Sequence, residues 1–353
     1  MFLLLSVVLV ALVFEYLNGF HDTANAIATS ISTRVLTPVQ AICLATAFDL
    51  IGAFSGHAVA KTIGQGLVDI NFVTQETILC ALLAAIFWNL FTWFFGLPSS
   101  SSHALIGGLC GAALAAANGN WSVLQWCVEH DGHLTGIWPQ VIKPLVMAPT
   151  FGLICGFVFM GFLMAVLQRC KPHTVNKRFT WLQILSSAWM SFSHGANDAQ
   201  KTMGIITLSL FTATGAGVLT GASECWDFLK VEAFEVPNWV TFVSAIALAG
   251  GVATGGWRII KTLGSKLVKM TVVNGFAAQS SAALVIHLAS HWGIPLSTTH
   301  VISTSIMGVG ATKRFGAVKW GVAANMIVAW SITLPITSLI GYFLLKLINM
   351  IAA

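Results

Sequence analysis

The sequence predicts an all-α polytopic membrane protein: two inverted-topology repeats of about five membrane segments each, with broken or re-entrant helices at the midplane. Three observations carry that prediction. Of the 353 residues, 56% are hydrophobic and only 8% are Asp, Glu, Lys or Arg, where a soluble domain carries about 25% charged residues. Long stretches hold no charge at all, and three short motifs recur in the same order in each half. With a mean hydropathy of +0.83, secreted disulfide scaffolds, nucleic-acid binders and cytosolic enzymes are excluded. The net charge of +5 does not point to a polyanionic partner, because basic residues also orient membrane segments.

The first repeat is expected over residues 1–168. Its opening run, MFLLLSVVLVALVF, lacks a basic start and leads to Glu15 and Asp22 without a cleavage site. It therefore reads as a first span, 2–18, rather than a secretory signal. A second span follows at 38–60. Thr77 to Val128 is free of charge over 52 residues, too long for one span of about 20. Gly96-Leu97-Pro98 breaks it, since proline cannot continue a helix in register. Span 140–167 closes the repeat.

Residues 169–180 carry Arg169, Lys171, Lys177 and Arg178 and read as a cytoplasmic basic linker. The second repeat, 181–353, holds 181–194 continuing into 203–219, then 237–257. Next comes an uncharged run of 43 residues, Met270 to Thr312, broken at Gly293-Ile294-Pro295. The last span, 316–350, carries Pro335 and is expected to bend. Seven cysteines form no CxxC pair and read as packing residues.

Basic residues orient the stack. Placing Arg34, Arg258, Lys261, Lys266, Lys269, Lys313, Arg314 and Lys319 with the linker puts twelve basic residues in the cytoplasm. Lys61, Lys143, Lys230 and Lys346 fall outside, as do the loops near 118–137 and 220–236. There Glu129, Asp131, Glu224, Asp227, Glu232 and Glu235 cluster. Both termini come out external, and Lys201 is left within the membrane. Five crossings per half is odd, so the second half enters with the opposite hand.

The repeat is visible residue by residue. Gly19-Phe20-His21-Asp22-Thr23-Ala24-Asn25-Ala26 matches Gly195-Ala196-Asn197-Asp198-Ala199-Gln200-Lys201-Thr202. Lys61-Thr62-Ile63-Gly64 matches Lys261-Thr262-Leu263-Gly264. Gly96-Leu97-Pro98-Ser99-Ser100-Ser101-Ser102-His103 matches Gly293-Ile294-Pro295-Leu296-Ser297-Thr298-Thr299-His300. The offsets are 176, 200 and 197 residues. Inverted five-helix units of this kind are a recurrent transporter architecture, with the substrate site at the midplane where broken helices meet.

Four of the twelve acidic residues, Glu15, Asp22, Asp49 and Asp198, fall inside expected spans. A carboxylate at the bilayer centre costs about 2.5 kcal/mol or more and must face a cavity or a partner. Asp22 and Asp198 match across the repeat, each with a polar residue three positions on, Asn25 or Lys201. Their glycine-rich flanks predict interrupted helices whose freed backbone groups could ligate ions. An Asp198–Lys201 ion pair is the plainer alternative. The hydroxyl runs Ser99–Ser102 and Ser297–Thr299 each follow a Gly-X-Pro turn, placing them at helix starts, where free N–H groups and the positive dipole end attract an anion. Simple N-capping would need one hydroxyl per helix, with His103 and His300 then ordinary helix residues.

These motifs resemble those of the inorganic phosphate transporter (Pit) family, whose signature G-A-N-D-x-x-N-A and G-x-P-x-S-x-T-H elements occur once per half. Gly195-Ala196-Asn197-Asp198 keeps the first; Phe20-His21 departs from it in the manner of the bacterial low-affinity Pit branch. The resemblance implies a central phosphate and cation site. Its substrate-binding residues would be Asp22, Asn25, Ser100, Ser101, Ser102, Asp198, Lys201, Ser297, Thr298 and Thr299. Asp22, Asn197, Asp198, Asp49 and Gln279 would serve the coupling cation. Gln279 is set opposite Asp49 in the repeat, and its lack of charge favours a proton or a divalent metal carried with phosphate over sodium. No cofactor is implied. The partners are phosphate, the cation and plasma-membrane lipid, with homo-oligomerisation open.

Phosphate carries one to two negative charges near pH 7, and moving each inward against 100 mV costs about 2.3 kcal/mol. No Walker-type GxxxxGK[ST] occurs, so a secondary symporter is expected. Alternatives are a sulfate permease of the same build, a passive channel, and an intramembrane hydrolase using Ser102, His103 and Asp22, for which Ser-His adjacency alone defines no triad.

Overall fold

The computed structural model describes residues 1–130, 133–220 and 224–352; Asp131, expected in an external loop, lies outside them. Twelve helices follow one another: α1 (Phe2–Ser32), α2 (Pro38–Ala53), α3 (Ala58–Gln65), α4 (Gln75–Phe95), α5 (Ser101–Ala116), α6 (Lys143–Leu167), α7 (Pro172–Gly215), α8 (Asn238–Thr254), α9 (Trp257–Lys261), α10 (Val272–His291), α11 (Thr298–Lys313) and α12 (Trp320–Ala352). Five of the segments, Phe2–Ser32, Gln75–Phe95, Trp138–Leu167, Val272–His291 and Trp320–Ile351, are long and apolar enough to cross a membrane. The pair α2–α3 bends by 69° and the pair α8–α9 by 58°. The chain is a multi-pass membrane protein.

The matched motifs build matched structure. Thr74 and Thr271 cap α4 and α10 with the same reciprocal box, which satisfies first-turn N–H groups. Both helices end on a glycine in the left-handed region, Gly96 at φ 64° and Gly293 at φ 68°. There the residue after the glycine bonds back into the last turn, Leu97 N–H to the Thr92 carbonyl and Ile294 N–H to that of Ala289, each at 2.9 Å. A short helix, α5 or α11, then begins inside the protein.

The two halves interlock. α2 packs on α7 and α8 on α1; α5 packs on α12 and α6 on α11. Glycines permit the approach: a Cβ on Gly195 would lie 2.1 Å from the Asp49 carbonyl oxygen, and one on Gly19 would lie 2.3 Å from that of Leu248. The matched helices α1 and α7 run antiparallel, with Thr202 bonded to Glu15 at one end and Ser187 to Ser30 at the other. One apolar core takes Leu4 to Phe14 of α1 and Ala199 to Ala213 of α7; a second takes Ala24 to Ala28 and Phe179 to Met190. Between the cores lies a polar layer.

One expectation is corrected here: α1 and α7 are unbroken through Asp22 and Asp198. Alanine, serine and threonine keep the helix hydrogen-bonded there, so side chains, not freed carbonyls, fill the polar layer. The bends fall instead at 54–57 and 255–256. Within the segment 169–180, Pro172 starts α7 with its fixed φ. Pro335 sits inside α12, where Leu334 and Thr337 pack against Gly107 of α5.

Candidate functional site

Asp22 occupies the centre of the polar layer, where both hydroxyl runs reach it. Ser101 Oγ lies 3.3 Å from one carboxylate oxygen, and Thr299 Oγ1 donates to the other at 3.4 Å. Asn25, one turn further along α1, donates to Thr298 Oγ1 at 3.2 Å and Thr299 Oγ1 at 2.9 Å. Ser102 donates to the Leu296 carbonyl at 3.2 Å, so the starts of α5 and α11 touch. The His103 and His300 rings stand 5.0 Å apart. Trp330 of α12 stacks on His300 at 4.1 Å and donates its indole N–H to the Pro98 carbonyl at 2.9 Å, fixing both helix starts. Ser100 and Ser297 are the caps: they accept from the N–H of His103 and His300 at 3.2 and 3.3 Å. Capping therefore accounts for one hydroxyl in each run; Ser101 and Thr299 reach Asp22, Thr298 meets Asn25, and Ser99 and Ser102 are taken up by Thr92 and the Leu296 carbonyl.

Asp198 lies beside this group. Lys201 Nζ donates to its Oδ1 at 2.5 Å, and both residues are fully buried. The expected ion pair exists, alongside the pocket rather than instead of it. His194 connects the second carboxylate pair, donating to Asp49 at 2.8 Å through Nδ1 and approaching Asp198 at 3.5 Å through Nε2. Ligand-capable atoms of Asp22, His194 and Asp198 lie within 4.8 Å of one another, a carboxylate–imidazole set that suits a divalent cation. Several buried atoms here have no hydrogen-bond partner among the described residues: Asn25 Oδ1, Asp49 Oδ2, Asn197 Oδ1, His103 Nδ1 and His300 Nε2. Leaving such an atom unpaired costs about 1–3 kcal/mol.

Asn197 and Gln279 point elsewhere. Asn197 donates to Ser290 of α10 at 2.9 Å. Gln279 donates to the Ala26 carbonyl and to Ser187, each at 2.8 Å, and accepts from Ser186 at 3.1 Å. Nor is Gln279 the repeat partner of Asp49. It lies on α10, the counterpart of α4, where the 197-residue offset sets it opposite Leu82. Asp49 lies on α2, whose counterpart is α8. Because Gly195 abuts the Asp49 carbonyl as its match Gly19 abuts that of Leu248, Leu248 is the true partner. The second half still lacks the carboxylate.

Four contributors escaped the sequence reading. His21 donates to Asp22 at 2.6 Å and reaches Thr92 at 3.3 Å, while Thr92 meets Ser99 at 2.8 Å. Asn18 accepts from Ser101 at 2.5 Å, and His194 is described above. His21, His194 and Asn18 carry the one signal a sequence offers, an imidazole or amide in an apolar span that needs a partner; which partner it finds depends on other helices. No hydrogen bond joins a hydroxyl of Ser99–Ser102 to the His103 ring among the described residues, and Ser102 is committed to Leu296, so no nucleophile–base pair is formed.

Interlocked inverted helices with two helix starts facing a buried acidic pocket are the architecture of a membrane transporter. The sequence profile described as "Phosphate transporter family" matches residues 18–341. The chain belongs to that family, and it is a transporter, not an enzyme. A Bacillus subtilis (strain 168) protein described as "Probable low-affinity inorganic phosphate transporter" is 42% identical over 351 residues, 99% of this chain and 98% of the relative. A Rhizobium meliloti (strain 1021) protein of the same description is 43% identical over 343 residues, covering 96% and 94%. Among solved structures, one titled "The sodium-dependent phosphate transporter" matches with a TM-score of 0.82 at 24% identity, covering 99% of this chain and 100% of that one. At that identity it supports the fold.

Proposed function

We propose that the protein imports inorganic phosphate across the plasma membrane as a secondary symporter, its basic loops cytoplasmic and both termini external. The observation that carries this reading is the convergence of Ser101 from α5 and Thr299 from α11 on the Asp22 carboxylate. Two helix starts supply N–H groups and positive dipole ends for an oxyanion. Asp22 accepts hydrogen bonds there, and a phosphate bearing its own O–H can replace the serine and threonine donors. Sulfate has no proton to give.

Asp22 and Asp198 balance the cation charge. The family and the names of the relatives support phosphate as substrate. The sodium in the neighbour's title belongs to that protein. In this chain Asp49 and Asp198 already hold His194 and Lys201, and Leu248 stands where a second carboxylate would be; this favours a proton, or a divalent cation travelling with phosphate, over sodium.

Purified protein in vesicles, with proton, sodium and potential gradients imposed separately, tests the reading. Radiolabelled phosphate should accumulate, excess sulfate should not compete, and Asp22→Asn should abolish uptake while the protein still inserts. Wild-type uptake by that variant, or sulfate competition equal to that of phosphate, overturns the assignment.

A further inference from the structure

Glu15 has no part in the pocket described above, yet it is fully buried. Its Oε2 accepts from Thr202, and its Oε1 has no partner among the described residues. Of the four buried carboxylates among the described residues, Asp22 bonds His21, Asp49 bonds His194, and Asp198 bonds Lys201. Glu15 alone has neither imidazole nor ammonium bonded to it. An ionised carboxylate buried in that state is costly, and a proton on Oε1 removes the charge.

The arrangement is one-sided. At the 176-residue offset the partner of Glu15 is Ser191, that of Lys201 is Asn25 and that of Thr202 is Ala26. Consecutive residues of α7, Lys201 and Thr202, hold the two carboxylates Asp198 and Glu15 in one group. The ionisable groups facing Glu15 are Asp198 and Lys201. α8, packed along α1, contains no Asp, Glu, Lys, Arg or His, and the one such residue of α4, Glu76, lines a cavity with Met1, Leu3 and Leu4 at the far end of α1. Gly256, just before α9, meets α1 at Phe20, α10 bonds α1 at Ala26 and α11 at Asn25, and the acid on α2, Asp49, is held by His194.

We propose that Glu15 carries the coupling proton and that Lys201 transmits its charge state, through Asp198, to the anion pocket. The inference rests on the phosphate-symport reading and adds the coupling residue. With the proton in place the Glu15–Lys201–Asp198 group is neutral; without it the group carries one negative charge, and the oxyanion is repelled. Phosphate and proton therefore bind better together, each raising the affinity for the other by the same factor. Only an O–H bond forms and breaks: the proton comes from external water and leaves to cytoplasmic water with the phosphate.

Two vesicle measurements separate coupling from binding: phosphate-for-phosphate exchange at equal pH, and accumulation driven by an inward proton gradient. Glu15→Gln should keep exchange and lose gradient-driven accumulation, and Glu15→Asp should recover accumulation. Glu15→Gln that accumulates phosphate like the wild type overturns the proposal. So does a monodisperse Glu15→Gln that loses exchange as well, which would put Glu15 in anion binding. If that variant does not fold, wild-type protein in weakly buffered detergent decides: adding phosphate should raise the pH read by an indicator dye, and binding without proton uptake overturns the proposal. Wild-type exchange that ignores a proton gradient sinks this inference alone; absence of any wild-type phosphate exchange sinks the phosphate reading beneath it.

Discussion

Thr262 donates its hydroxyl to the Gly96 carbonyl at 2.9 Å, and Thr62, its repeat partner, donates to the Gly293 carbonyl at 2.7 Å. Each Lys-Thr-x-Gly motif thus ties down the Gly-X-Pro turn of the other half. Two of the three repeated motifs form one cross-linked unit, and the turns it holds set where α5 and α11 begin.

Removing that hydroxyl leaves a carbonyl short of its donor. Thr262→Val, which keeps the shape, is expected to destabilise the protein by about 1–2 kcal/mol, the range for a lost hydrogen bond and an unmet polar group. Thr262→Ser should restore most of it. Thermal unfolding of the purified protein in detergent reads the difference, and an unchanged melting temperature in Thr262→Val would show that the bond contributes nothing.

The contact between α2 and α7 makes a sharper demand. Gly195→Ala would drive a methyl into the Asp49 backbone, 2.1 Å away, and overpacking of this kind costs about 1–3 kcal/mol. Because Asp49 holds His194, the variant should also lose transport. Gly215, at the end of α7, has nothing within 4 Å of an added Cβ. Gly215→Ala should be neutral or stabilise by up to about 1 kcal/mol through helix propensity. Melting temperatures of the two variants side by side check both.

The contrast between these glycines shows what the sequence can carry. Composition, charge-free runs and repeated motifs are local, so the helices, the Gly-X-Pro breaks and the pairing of Asp22 with Asp198 are legible in one dimension. Partner choice across helices is not. Asp49 and Gln279 look equivalent as lone polar residues in apolar runs, and only the glycine contacts of α2 and α8 reveal Leu248 as the match. Continuous helix through Asp22 is illegible for a related reason: glycine beside small polar residues reads as a break, but in α1 and α7 those residues serve close packing. His194 and Asn18 stayed hidden because their role depends on α2 and α5, which lie far away in sequence.

The buried Asp198–Lys201 pair separates stability from transport. Asp198→Asn strands the ammonium of Lys201 and should cost about 3–5 kcal/mol, as breaking a buried pair does. Adding Lys201→Met removes the stranded charge and should return most of the stability, since replacing both partners is often neutral. Phosphate uptake should be absent from both variants. A double variant with wild-type melting and wild-type uptake would mean that the pair is scaffolding only.

The hydroxyl runs allow the most discriminating comparison, because neighbours in the same run have different tasks. Ser100 and Ser297 cap α5 and α11, so Ser100→Ala and Ser297→Ala should each cost about 1 kcal/mol of stability and leave KM for phosphate nearly unchanged. Ser101 and Thr299 face Asp22. Ser101→Ala and Thr299→Val leave buried Asn18, Asn25 and Asp22 short of a partner, so they should cost about 1–3 kcal/mol of stability and, unlike the caps, also weaken phosphate binding, by about tenfold for each hydrogen bond to the charged ligand. Initial uptake rates over a range of phosphate concentrations, paired with thermal unfolding of the same preparations, give KM and stability for each variant. If the caps raise KM and the Asp22-facing residues only lower the melting temperature, the anion lies on the other side of these helix starts and the pocket must be redrawn.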